Sequence, residues 1–272
     1  MSEFNFSNIA IITHIRIDNS ERLYNIHIRD TFYKKLCDNI EFVYIEDDVV
    51  SILSEYPSFI DGKKYQLFTN SGPHQKNTCY NIGCALTDRK YLCFLDADCI
   101  VHPNQILDAA QGCIDTEVGV VQPYNGVALY LNYIAKSLFT ATPTYDTLQH
   151  MLPTKVFTGQ VTEHLTVGNT AAPGGCIVTH REAIKQFNGF NPLFRGWGYE
   201  DNELLARVRG LGLTTRVLTG DEKVLWHLPH GDESINKENH PDYSNNRQIC
   251  SHVARMSKQQ LQEYIKQWHL SI

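Results

Sequence analysis

Eight cysteines are spread through the 272 residues, yet no two stand at C-x-x-C spacing. That excludes a zinc ribbon and argues against a disulfide framework, both of which need tight, repeated spacing. Most of the cysteines lie in apolar runs such as Tyr91-Leu92-Cys93-Phe94-Leu95, where a thiol acts as a small buried hydrophobe. A reducing compartment is expected. Positive charge is also short: 24 Lys and Arg face 30 Asp and Glu, a net charge of -6. A nucleic-acid binder needs clustered cations to displace phosphate counterions, so that class is set aside. There is no apolar run long enough to span a bilayer, and residues 1–8 lack the basic start of a secretory leader. The expected location is the cytoplasm, with at most peripheral contact at the inner membrane face. No glycine occurs from Ile9 to Ile17, where a nucleotidyltransferase would want a Gly-rich or basic loop for a triphosphate. Repeats and low-complexity stretches are missing as well.

What is present is ordinary globular composition, 42% hydrophobic and 20% charged, enough for one large α/β domain. Residues 8–13, 41–46, 90–95 and 118–122 read as buried strands, with helices over 20–37, 75–86 and 103–113. This alternation predicts a mostly parallel sheet with helices on both faces. From 124 to 170 the periodicity loosens, as in a substrate-facing insertion. Strands return at 174–179, 215–218 and 223–226, with helices from Arg181, over 200–209 and over 257–268. Residues 231–246, rich in Gly, Pro and Asn, read as a loop able to close over a ligand.

Three segments carry chemistry. Asp96-Ala97-Asp98 follows the apolar run 92–95 directly, so both carboxylates emerge at the carboxyl edge of the sheet, where open α/β sheets bind ligands. Side-chain alternation points them in different directions; a strand-ending turn with Asp as local acceptor is the plainer reading. Gly196-Trp197-Gly198-Tyr199-Glu200-Asp201-Asn202-Glu203 opens a helix with acidic residues. The helix dipole favours acids there, but an indole beside carboxylates also suits a sugar, one stacking on its apolar face and the other taking a hydroxyl proton. His227 and His230 lie within four residues of each other and could join a carboxylate around a divalent cation. An acidic protein that holds a diphosphate needs such a cation.

In this order the segments resemble the GT-A glycosyltransferases, and within them the inverting branch of family 2 and the β-1,4-galactosyltransferase-like family 7. The similarity runs from about Ile9 to His230. Leu95-Asp96-Ala97-Asp98 resembles the DxD motif; Gly174-Gly175, Asn188-Gly189-Phe190 and Gly196-Trp197-Gly198-Tyr199-Glu200-Asp201 are similar to the GG, NGF and GWGGED signature. The resemblance implies a Rossmann-like mixed sheet flanked by helices, with a nucleotide-sugar half over 8–123, an acceptor half over 124–250 and a terminal helix over 251–272. It implies Mn2+ or Mg2+ held by Asp98, His227 and His230, and a UDP-sugar donor near Asp96. Asp201 would be the base for the acceptor hydroxyl, with Glu200, Trp197, Gly198 and Tyr199 seating the acceptor, a glycan or lipid-linked glycan. Thr13, Arg16, Glu46, Asp47 and Asn81 would contact the donor. The Thr13–Asp18 segment lacks the usual proline of the family's first loop, which weakens the match there.

The resemblance implies an inverting hexosyltransferase, galactose or N-acetylgalactosamine favoured; with no membrane anchor in the sequence, a bacterial enzyme of surface polysaccharide synthesis is expected. Asp201 follows Glu200 where retaining relatives have Asn. The alternatives are a retaining transferase and a non-catalytic carbohydrate-binding protein of the same fold, though binding alone requires neither Asp98 nor Asp201.

Overall fold

The computed structural model describes residues 3–168, 171–231, 240–268 and 270. In chain order, β1 (Phe4–Asn5), β2 (Ile9–Ile15), α1 (Ser20–Leu36), β3 (Cys37–Asp38) and β4 (Glu41–Asp48) lead to α2 (Pro57–Ile60), β5 (Lys64–Thr69) and α3 (Lys76–Ala85). Next come β6 (Tyr91–Leu95), β7 (Cys99–Ile100), α4 (Pro103–Gly112), β8 (Val118–Gln122) and β9 (Ala128–Leu131). Then follow α5 (Tyr133–Ala141), α6 (Tyr145–Gln149), β10 (Leu165–Val167), β11 (Cys176–His180), α7 (Arg181–Gln186) and α8 (Glu200–Gly210). β12 (Thr214–Val217), β13 (Leu225–His227), α9 (Tyr243–Val253) and α10 (Lys258–Lys266) complete the order.

The main sheet has seven strands in the order β12-β8-β11-β6-β2-β4-β5. Strand β2 shows why the first apolar run carries no polar interruption: Ile9 and Ile11 pack into the hydrophobic cluster on one face, Ala10 and Ile12 into the cluster on the other. A strand covered on both faces reads as continuous apolar sequence.

The sheet is mostly parallel, as expected, with one reversed strand. Strand β11 runs antiparallel to both its neighbours, β6 and β8, making the sheet mixed. This reversal sets Cys176 opposite Leu95, so the start of β11 meets the end of β6, and Asp96 N–H donates to the Gly175 carbonyl at 3.0 Å. A parallel β11 would have carried Gly174 and Gly175 to the far edge.

The loosely patterned stretch is corrected. Residues 124–168 supply β9, β10, α5 and α6, and Leu129, Leu131, Phe139, Leu148, Leu165 and Val167 are buried core. Strands β10, β9, β13 and β7 make a second sheet, which fastens the β13 histidine segment to the turn after β6. The closing-loop expectation over 231–246 falls partly on 232–239, outside the described residues. Its later part is corrected, because Tyr243 to Asn246 already belongs to α9 and Asn246 is fully buried. The apolar face of α10, Leu261 and Ile265, packs in the cluster that also holds Leu204 and Val208 of α8. Among the described residues, no helix is long and apolar enough to cross a membrane.

Candidate active site

The acidic turn after β6 is fixed at both ends. Cys99 N–H donates to the Asp96 carbonyl at 3.1 Å, closing the turn. The buried Arg29 of α1 donates to that same carbonyl at 3.2 Å. Leu228 N–H donates to the Asp98 carbonyl at 2.8 Å, tying the turn to the segment that carries the histidines. Tyr80 of α3 donates its hydroxyl to Asp96 Oδ1 at 2.7 Å.

Asp98 sits between the two imidazoles, with His227 Nε2 3.6 Å from Oδ1 and His230 Nε2 3.5 Å from Oδ2. Ligating atoms of all three lie within 4.8 Å of one another. These distances are long for hydrogen bonds but close enough for one cation to touch all three. One carboxylate and two imidazoles suit a borderline divalent ion, so the residues fit the metal that the sequence pattern implies. Burial opposes ionisation of Asp98, but His227, His230 and Arg22 outweigh it and hold its carboxyl below the ordinary range. The histidine turn is itself braced: Asn25 donates to the Pro229 carbonyl at 3.1 Å and Asn19 to the His230 carbonyl at 3.1 Å. Both asparagines belong to the α1 segment, Asn19 as its cap, and Arg22 of α1 reaches Asp98 Oδ2 at 3.8 Å.

Across from this turn, α8 begins with Glu200 and Asp201. Tyr199 precedes it in a left-handed conformation, φ 64°, costly for a non-glycine residue and held by the tyrosine's packing on Tyr243. Gly198 N–H donates to Glu200 Oε2 at 3.0 Å. Lys76, at the start of α3, lies 3.1 Å from Glu200, 3.6 Å from Asp201 and 3.8 Å from Asp96. The two neighbouring acids are pushed apart. Burial, against the pull of Lys76 and with the added charges of Glu200 and Asp96, raises Asp201 to about 7. Burial works the same way on Glu200, but Lys76 and Glu200's own backbone N–H bring it below the ordinary range. The Asp201 side chain keeps 24% of its surface open, so a substrate can reach it. A Cβ on Gly174 would collide with the Asp201 carboxylate; only glycine leaves that room.

Trp197 stacks on Tyr243 with 5.8 Å between centroids and 6° between planes. Tyr199 and Tyr243 place their hydroxyls 3.2 Å apart. Asn246 donates to the Arg195 and Trp197 carbonyls at 2.8 and 3.3 Å. The amino end of α9 thus backs the turn at residues 195–199.

Of the expected site residues, Asp96, Glu200 and Asp201 meet around Lys76, Asp98 meets His227 and His230, and Trp197, Gly198 and Tyr199 gather at Tyr243. Four of the expected donor contacts are buried and hydrogen-bonded within the protein. Thr13 is fully buried, its hydroxyl taking a bond from Arg29. Glu46 is fully buried and accepts from Ser51, Ile52, Leu53 and Tyr65. Asp47, also closed to solvent, accepts from His14, Asn70 and the Gln75 N–H. Asn81 exchanges two bonds with the Phe190 backbone. Each of these bonds ties neighbouring segments of the protein together. Arg16 remains half-buried, donating to the Gly72 carbonyl at 2.8 Å.

His14, Asp47 and Cys79 also bring ligand atoms within 4.8 Å of one another, but the Asp47 oxygens already accept three protein donors. Lys76, Arg22, Tyr80 and Tyr243 were missed as site residues. For Lys76 a signal existed: a cation on the first turn of a helix opposes the helix dipole. Tyr243 lies where Gly, Pro and Asn punctuation reads as loop.

The glycosyl transferase family 2 model matches residues 28–186, more than half the chain. The chain belongs to glycosyl transferase family 2. Residues 162–231, which hold the Gly174-Gly175, Gly196–Asp201 and His227–His230 segments, match a second model described as the N-terminal domain of galactosyltransferase. The chain is similar to beta-1,4-galactosyltransferase 7 of Drosophila melanogaster, 39% identical over 59 residues. That match spans 20% of this chain and only 18% of the relative's length. In structure, this family 2 protein is similar to the catalytic domain of Drosophila beta1,4galactosyltransferase 7 in complex with xylobiose. The TM-score is 0.51 at 15% identity, covering 92% of this chain and 81% of that one. A GalNAc-T7 structure with UDP, GalNAc and Mn2+ gives a TM-score of 0.56 at 13% identity, covering 95% of this chain and 50% of that one. These likenesses establish the shared GT-A fold.

Proposed function

We propose that this protein is a metal-dependent hexosyltransferase that moves galactose or N-acetylgalactosamine from a UDP-sugar to a carbohydrate hydroxyl with inversion. The observation that carries the reading is the shared rim. One ammonium, Lys76, touches both Asp96 of the acidic turn and Asp201 of α8, so the candidate cation ligands and the candidate base open on the same edge of the sheet. The relatives' ligands agree with it: manganese, UDP-Gal and xylobiose in the Drosophila enzyme, Mn2+ and UDP in GalNAc-T7.

In this reading Asp98, His227 and His230 hold a divalent cation, which offsets the charge on the leaving diphosphate. Asp96 lies beside the donor. Trp197, backed by Tyr243, offers a flat apolar face to the acceptor ring, and Glu200 holds the Gly198 turn in place. Asp201 takes the proton of the incoming hydroxyl, whose oxygen bonds to the anomeric carbon as the bond to the diphosphate breaks. A carboxylate whose midpoint lies near neutrality is well matched to that task. The acceptor is a glycan or lipid-linked glycan of a bacterial surface polysaccharide, assembled in the cytoplasm or at the inner membrane face. The spread of cysteines through apolar runs supports a reducing location.

A panel of sugar nucleotides with Mn2+, scored for UDP release with and without glycan acceptors, tests the reading. UDP-Gal or UDP-GalNAc should be consumed in a metal-dependent way, and the product linkage should be of opposite anomeric configuration to the donor. Failure to release UDP from any donor would remove the transferase; retained configuration would remove Asp201 as base.

A further inference from the structure

Lys76 is the first residue of α3, and its side chain is only 15% exposed. A largely buried ammonium is costly without partners, and here it has three carboxylates within 3.8 Å. These partners are unequal. Asp96 also accepts from the Tyr80 hydroxyl and Glu200 from the Gly198 N–H. Among the described residues, Asp201 has Lys76 alone within ion-pair distance. The groups facing Asp201 are Lys76 and Tyr80 from α3, Asp96 from the end of β6, Glu200 from its own helix and Tyr124 beyond β8. Of these, Lys76 is the cation.

We propose that Lys76 is a positioning residue: its ammonium binds Asp96, Glu200 and Asp201 into one rim, offsets part of their repulsion and keeps Asp201 able to accept a proton. The proposal rests on the reading of Asp201 as base. Three acids crowded on one edge without a cation relieve their repulsion most easily by protonating one of them. Asp201, with the fewest other donors, takes that proton. Lys76 thereby links the donor side of the site to the acceptor side: the same ammonium that touches Asp96 sets the proton affinity of the carboxylate facing the acceptor.

The test is a 13C-carboxyl NMR titration of the metal-free protein, with the Asp201 resonance assigned by its loss in D201N. Lys76→Met should raise the Asp201 midpoint by about one pH unit or more, and Lys76→Arg should keep it near the wild-type value. An unchanged midpoint in folded K76M, or a shift in K76R as large as in K76M, would overturn the proposal. Should K76M fail to fold, Glu200→Gln in the Lys76 protein keeps the idea open to refutation. Loss of that like charge must lower the midpoint, and no movement would refute a shared rim. The pH profile of transfer in K76M should move with the NMR midpoint and regain rate at higher pH, which a purely structural defect would not do. Wild-type transfer by D201N would sink the base assignment, whereas a midpoint indifferent to Lys76 would sink only the rim.

Discussion

At the scale of single residues the site is a contrast between two carboxyl groups. Asp98 is held ionised by His227, His230 and Arg22 against the cost of burial, whereas Asp201 is lifted to about 7. Groups pushed in opposite directions suit the opposite tasks proposed for them, ligand and proton acceptor. Asp201→Asn should lower transfer by about 10²–10⁴-fold while UDP affinity, measured by calorimetry, stays close to wild type; equal loss of both would contradict the assigned role. Because the folded midpoint lies above the ordinary carboxyl value, Asp201 carries its proton below it. The rate at limiting substrate should therefore fall as pH drops through about 7, and a profile flat from pH 5 to 8 would count against it. Stability should run the other way. The raised midpoint adds stability below the unfolded value, and this is lost as pH rises through the folded one, so D201N should gain most over wild type above pH 7 in thermal melts.

Elements decide which of these residues could be read from sequence. Strand β6 and its turn were legible because an uninterrupted apolar run ending in two carboxylates marks a buried strand that stops at the sheet edge. The acidic start of α8 was legible from the Gly-Trp-Gly turn. Helix α9 was not: its first turn follows Gly, Pro and Asn punctuation, and its role comes from contacts with residues more than 40 positions away. Nor could pattern give the direction of β11, since an apolar run reads alike both ways and pairing partners set its sense. The burial of the donor-side residues was hidden from sequence for a related reason. Glu46 and Asp47 look like exposed acids at a strand end, yet donors from the following loop and from α3 enclose them. The α9 contact makes its own prediction. Tyr243→Ala removes a stacked partner from Trp197, a loss of about 0.5–1.5 kcal/mol, and should raise the acceptor KM several-fold with little change in donor KM. Equal change in both would show that Tyr243 supports the fold rather than the acceptor face.

For the whole molecule, ligand binding and folding should be linked. A donor and cation that bind only the folded state at 100 times Kd contribute about 2.7 kcal/mol, or about 5–10 °C in a chain of this size. Differential scanning fluorimetry with UDP and Mn2+ should show that shift in wild type and lose it in Asp98→Asn; a shift surviving there would remove Asp98 from the cation site. The α/β architecture could be read from the alternation of strands and helices, and the family from the resemblance carried by Asp96-Ala97-Asp98, Gly174-Gly175 and Gly196–Asp201. The bracing of the site could not, being built from asparagines and an arginine on a helix that looks ordinary in sequence. Helix α1 holds both banks at once, with Arg29 on the Asp96 carbonyl and Asn19 and Asn25 on the turn that bears His230. The spacing between the aspartate turn and the imidazole turn is therefore referred to one rigid rod, and a change on α1 would be felt by both at once.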